Sequence, residues 1–150
     1  MGEKFKILNG DKKMEVKTLQ TKEPYALIIR DFYALPIFDK KINGSLNIIE
    51  KNETEKIILF SKNFKNLTGV NTISGYYLLQ CFNSECNSEK IILFRSRLED
   101  MVKKYANSNY MEVDPIIIAP SYSPDVLKFI EKYNKFQKRK EIVLYSYRGV

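Results

Sequence analysis

Apolar and polar residues alternate at the start of the chain. Phe5 and Ile7, then Met14 and Val16, stand between polar neighbours on either side of Asn9-Gly10, the dipeptide that a type I′ turn requires. Two antiparallel strands are expected there. A third apolar run, Tyr25 to Arg30, follows Pro24, continues through Asp31 to Leu35 and is interrupted by Pro36, and it reads as a strand. A second Asn-Gly, Asn43-Gly44, lies between Ile37-Phe38 and Leu46-Ile48-Ile49 and reads as another hairpin.

From Glu53 to Leu67 the apolar run is too short to fix a period, and a strand at Lys56 to Phe60 is the better reading. Its hexapeptide Glu55-Lys-Ile-Ile-Leu-Phe60 recurs verbatim as Glu89-Lys-Ile-Ile-Leu-Phe94. The flanks do not match, so two similar buried strands are expected in preference to an internal duplication. A strand at Tyr76 to Phe82, a polar connection through Asn83 to Ser88 and a strand at Lys90 to Phe94 then read as a hairpin.

Helical spacing follows. Leu98, Met101, Val102 and Tyr105 stand at i, i+3, i+4 and i+7, which predicts an amphipathic helix over 96–106, ended by Asn107-Ser108-Asn109. Pro115 to Pro120 brackets a continuously apolar run, the pattern of a strand buried on both faces and central in its sheet. Ser123-Pro124-Asp125 supplies an N-cap, a first-turn proline and an acid at the positive end of the dipole. The helix it starts has Val126, Leu127, Ile130 and Tyr133 inward and fades near Phe136. A basic turn, Lys138-Arg139-Lys140, leads to a last strand, Ile142 to Tyr147, which completes a right-handed crossover if the two strands are parallel.

The fold class is therefore α/β, with α+β as the alternative: a mixed sheet with N-terminal hairpins and a C-terminal strand–helix–strand–helix–strand unit. The chain has 150 residues, 44% of them hydrophobic, enough for one domain to bury a core without disulfides. No signal peptide and no apolar run of membrane-spanning length is read, so a soluble, cytoplasmic protein is expected. Cys81 and Cys86 are separated by four residues and are expected to be reduced.

Chemistry is narrowed by what is missing. With no histidine, His-dependent triads and His-ligated zinc are excluded. The six glycines are scattered singly, so no glycine-rich phosphate loop forms, and the kinase, GTPase and Rossmann readings fall away. Lys and Arg number 25 against 18 Asp and Glu, a formal charge of +7 that favours polyanions. Basic residues interleave with aromatics at Lys62, Phe64 and Lys65, at Arg95 and Arg97, and at Lys135, Phe136, Lys138, Arg139 and Lys140, with Tyr145, Tyr147 and Arg148 at the end. Lysine and arginine neutralise phosphates while aromatic rings stack on unpaired bases. Because each cluster lies just beyond an apolar strand, one contiguous positive face is expected. The composition, rich in Ile, Lys, Asn and Tyr, is similar to that of small proteins of archaeal viruses.

From Tyr76 onward the order of elements, with the run from Ile116 to Pro120 and the following helix as its closest textual match, resembles the restriction-endonuclease-like PD-(D/E)xK nuclease fold. That resemblance implies a sheet strand carrying acids for magnesium and a lysine that orients the attacking water. In the matching strand, Gln80 stands where the acid would be and Phe82 where the lysine would be. The resemblance then implies either that the acidic function has moved to Glu85 or Glu89, or that the chain is a non-catalytic relative. Glu50, Asp31 and Asp39 lie near strand ends from which acids could meet, and Glu50 joins Glu85 and Glu89 as a candidate. Glu15-Val16-Lys17 reads as a solvated strand face, and Asp114 as a cap before Pro115. The expected function is binding of DNA or RNA, with magnesium-dependent cleavage or its degenerate remnant. The alternative is a small structural or adaptor subunit that docks a protein partner or a second copy of itself through a sheet edge or aromatic patch.

Overall fold

The computed structural model describes residues 4–9, 12–38, 44–106, 111–136 and 140–149, with side chains from Glu15 onward. The elements are β1 (Lys4–Asn9), β2 (Lys12–Gln20), α1 (Pro24–Arg30), β3 (Ser45–Asn52), β4 (Ile57–Lys65), β5 (Asn71–Cys81), α2 (Ser88–Tyr105), β6 (Val113–Ile118), α3 (Pro124–Phe136) and β7 (Val143–Arg148). Seven strands form one mixed sheet in the order β1-β2-β7-β6-β5-β4-β3. Its middle, β2-β7-β6-β5, is parallel, and both flanks are antiparallel. This is the mixed α/β class.

Alternation along the strands divides the core in two. On one face, Leu59, Leu78, Ile117 and Leu144 pack under Ile91, Phe94 and Leu98 of α2 and Val126, Leu127 and Ile130 of α3. On the other, Ile58, Phe60, Leu79, Ile116 and Ile118 pack under Ile28 of α1 and under Leu35 and Phe38. The run from Ile116 to Ile118 is buried on both faces because β6 has three strands on either side of it. That is the central position its unbroken apolarity predicts.

The C-terminal unit forms as read. Ser123 Oγ accepts from Val126 N at 3.3 Å, Pro124 opens α3, and β6 and β7 pair in parallel. Two side chains tie this unit together. Tyr122 is partly buried, and its hydroxyl donates to Tyr145 O at 2.6 Å and Ile117 O at 3.0 Å, bridging neighbouring strands. Asn134 donates to Ile142 O and accepts from Ile142 N, clipping α3 to the start of β7.

Three expectations are corrected. Tyr25 to Arg30 is helix α1: the proline taken as a strand boundary occupies the first helical turn, where its missing N–H costs nothing. Ile37-Phe38 lies in a series of turns, Phe38 is buried against Phe60, and β3 pairs with β4 instead, while residues 39–43 lie outside the described residues. The third concerns the repeated hexapeptide. Its first copy enters β4, with Ile57 to Phe60 all buried, but its second forms the start of α2. There Ile91 and Phe94 are 2% and 0% exposed while Ile92 and Leu93 are 64% and 60% exposed. An i, i+3 pair faces inward, and the intervening residues face water. Asn87 decides this locally by accepting from Lys90 N at 3.1 Å as N-cap, with Glu89 in the first turn.

Candidate nucleic-acid interface

At the amino ends of the parallel strands, on the face that carries α1, register brings together groups far apart in sequence. Tyr77 is opposite Phe60 on β4 and Asp114 on β6, and Lys62 is opposite Gly75. Lys62 Nζ forms an ion pair with Asp114 Oδ2 and lies 4.1 Å over the Tyr77 ring. A Cβ at Gly75 would crowd Glu112 O at 3.1 Å while meeting Lys62 Cδ at an ordinary 3.8 Å. Asp114 Oδ1 is buried and has no hydrogen-bond partner.

Tyr77 lies between two cavities. One, of about 330 Å³, is lined by Tyr33, Phe38, Leu46, Phe64, Tyr77 and Lys62 among others. The other, of about 300 Å³, is lined by Tyr77, Asp114, Ile116, Lys140, Val143 and Tyr145 among others. Phe38 holds the wall, its ring 4.9 Å from Tyr77 and 5.1 Å from Phe60. Lys140 pairs with Glu112 at 3.6 Å, and exposed Lys65 follows Phe64 at the end of β4.

The fold therefore unites part of the expected basic surface. Lys62, Lys65 and Lys140 come to this end, whereas Lys138 and Arg139 lie outside the described residues. Lys135 occupies the last turn of α3, 5.7 Å over the ring of Phe136. The others do not join them, and the single contiguous positive face is corrected. Arg95 and Arg97 stand on a helix and not beyond a strand. Arg95 is held between helices, its guanidinium 5.3 Å from the Phe129 ring and 5.2 Å from that of Tyr133. Arg97 pairs with Glu55, and Arg148 ends β7 at the opposite end of the parallel strands.

The acidic candidates are not brought together either. Glu50 meets the C-terminal turn of α2, accepting from Tyr105 Oη and from Lys104 Nζ at 2.9 Å. Those two donors hold its carboxyl below the usual range. Glu89 is in the first turn of the same helix, roughly 22 Å away by helical rise, and Glu85 is exposed on the loop before it. Asp31 caps a turn by accepting from Tyr33 N at 3.0 Å, and Asp39 lies outside the described residues. Glu15 and Lys17 are both exposed beside buried Val16, the solvated face expected of that triplet.

The strand that the nuclease resemblance singles out ends at the other, carboxyl end of the parallel strands. Gln80 is buried, its Nε2 donates to Glu55 O at 3.1 Å, and its Oε1 has no partner. The carboxylate of Glu55 is itself engaged by Arg97 and by Asn52. Lys56 has φ of 56°, a left-handed conformation that turns its carbonyl onto Cys81 N, while its Nζ donates to Asn83 Oδ1 at 2.8 Å. The adjoining cleft of about 460 Å³ includes Lys22, Tyr25, Lys56, Phe82 and Tyr147. No group of three carboxylates or thiols suited to a metal occurs among the described residues. A neutral amide beside a carboxylate already paired with arginine does not fit a magnesium centre.

Both cysteines are free and buried, and burial pushes each thiol up to about 12, which makes them poor nucleophiles. No described helix is long and apolar enough to cross a membrane. Sequence reading missed Asp114 and Tyr77 as site residues. The available signal was an acid placed inside, not before, an otherwise apolar strand.

No protein-family model matches the chain, and no curated protein matches its sequence. Among solved structures it is similar to EndoMS in its apo form, at 11% identity and a TM-score of 0.45, over 99% of this chain. The chain covers 64% of that structure's length.

Proposed function

We propose that this protein binds nucleic acid along the lysine-rimmed, aromatic cleft around Tyr77, and that it binds without cutting. The observation that carries this reading is the meeting of two lysines distant in sequence, Lys62 and Lys140, at the two aromatic-walled cavities that share Tyr77. The chain's +7 charge supplies a long-range attraction for phosphates, and the rings offer surfaces for bases. Absence of cleavage is supported by Gln80 in the place of an acid, by the pairing of Glu55 with Arg97, and by the separation of Glu50 from Glu89.

Fluorescence anisotropy of a labelled oligonucleotide, titrated at several salt concentrations, tests this. Binding should weaken steeply with salt, and Lys140→Glu should reduce the logarithmic salt slope by about 1. No binding of any DNA or RNA at about 50 mM salt would overturn the reading. Linear DNA incubated with magnesium or manganese should remain intact. Cleavage that is lost in Glu85→Ala or Glu89→Ala would restore the nuclease assignment.

One observation favours a second reading, in which the chain docks a protein partner or a second copy. Ile92 and Leu93 on α2 and Phe136 on α3 are large apolar side chains left in water. Light scattering decides whether copies associate there, because Leu93→Lys would then restore the monomer.

A further inference from the structure

We infer that the cavity of about 330 Å³ beside Tyr77 receives an unpaired nucleobase, so that the nucleic acid taken by this cleft is single-stranded. This rests on the nucleic-acid reading above and names its substrate class. Four aromatic rings, Tyr33, Phe38, Phe64 and Tyr77, contribute to the lining of this one chamber. Its size falls in the range of pockets that enclose small organic groups, and its walls suit the faces of any base.

The polar groups distinguish a base from other occupants. An aliphatic ligand would offer no acceptor to the Lys62 N–H groups that Asp114 does not take. A phosphate would find that ammonium already neutralised by Asp114 and would face ring surfaces otherwise. A planar heterocycle suits both features. Its faces stack on the rings, while an acceptor on its edge takes a hydrogen from Lys62, which Asp114 and the Tyr77 ring hold in place. Asp114 Oδ1, buried and unpartnered on the other side of Tyr77, adds an acceptor for an N–H reaching into the second cavity. Lys140 at the second cavity is placed for a phosphate next to the inserted nucleotide. A base in a duplex would first have to leave its stack, so an unpaired strand binds better.

The test compares a short single strand with the same sequence as a duplex by anisotropy, and titrates the full-length protein with adenosine, guanosine, cytidine and uridine by NMR. The single strand should bind at least about tenfold more tightly than the duplex, and one or more nucleosides should shift the ring signals of Phe64 and Tyr77. Phe64→Leu, which keeps apolar volume but removes a ring, should weaken single-strand binding about tenfold and weaken duplex binding by less. Phe64→Ala should weaken it at least as much, with circular dichroism confirming that both variants fold. Equal affinity for single and double strands, nucleosides that leave both rings unperturbed, or full affinity in Phe64→Leu would each overturn the inference. If strands bind with a salt slope that falls in Lys140→Glu yet Phe64→Leu matches the parent, only this inference fails. If no nucleic acid binds, the broader reading fails and takes this one with it.

Discussion

Leu59 and Leu93 hold the same place in two copies of one hexapeptide, and lysine substituted at each should have opposite consequences. Leu59 is 0% exposed, on β4 against the layer formed by α2 and α3, whereas Leu93 is 60% exposed on α2. Loss of the Leu59 side chain alone, as in Leu59→Ala, should cost about 2–5 kcal/mol from transfer and cavity effects. In Leu59→Lys an unpaired ammonium is also forced into the core, and the sum approaches the 5–15 kcal/mol total stability typical of a domain. Leu93→Lys should change stability by no more than about 0.5 kcal/mol, because leucine and lysine have nearly equal helix propensity. The new ammonium would stand one turn beyond Glu89, a pairing that itself contributes about 0.2–0.5 kcal/mol. Urea and thermal unfolding followed by far-UV circular dichroism measure the contrast. Leu59→Ala should lower the melting temperature by roughly 4–20 °C, with Leu93→Ala and Leu93→Lys within a few degrees of the parent. If Leu93→Lys is as damaging as Leu59→Ala, residues 89–94 are a buried strand like their twin and the helical assignment is wrong.

Glu50 provides a pH test. Its carboxyl is held below the ordinary 4.5 by the Tyr105 hydroxyl and by Lys104, so the stability it contributes is present above the unfolded value and is lost as pH falls through the folded one. Urea midpoints measured downward from neutral pH should fall more steeply below about pH 4.5 in the parent than in Glu50→Gln. Tyr122→Phe should cost about 1–2 kcal/mol, since it removes the donor shared by Ile117 O and Tyr145 O, and an unchanged urea midpoint would contradict that role. Lys62→Met should destabilise by roughly 2 kcal/mol because it leaves the Asp114 carboxylate part-buried without its cation. Adding Asp114→Leu should recover much of this loss, and a double-variant loss equal to the sum of the two single losses would show that the pair is not coupled.

The parts of the fold legible in the sequence are those where one physical signal stands alone. Ser123-Pro124-Asp125 can only begin a helix, and Pro115 to Pro120 has no polar position to turn toward water, so α3 and the central β6 were readable. Tyr25 to Arg30 was not, because five successive largely apolar residues carry neither a period of two nor one of 3.6. The second hexapeptide shows the limit more sharply. Its six residues repeat Glu55 to Phe60, the last four of which open β4, and the difference lies in what precedes them, Asn87 capping a helix in one case and Asn52 holding a turn through Glu55 N in the other. The site was legible only in part for a different reason. Lys62, Phe64 and Lys65 could be picked out as a local cluster, but their meeting with Tyr77, Asp114 and Lys140 depends on strand order. No local pattern encodes that β6 lies between β5 and β7. Likewise, the strand expected at 90–94 put Arg95 at a strand end and Arg97 in the first turn of the helix after it, and the continuous basic face rested on that placement.

The two cysteines, near neighbours in sequence, are parted by the sheet itself. Cys81 is packed beneath the α1 layer and Cys86 within the layer of α2 and α3, with Cys86 bridged to Tyr122. A thiol reagent reaches each only when its own layer lifts, so the chain carries a separate clock for each side of the molecule. Pulse alkylation read by peptide mass would time the two openings independently, without an added probe. Occupancy of the cleft on the α1 side should slow the Cys81 clock first.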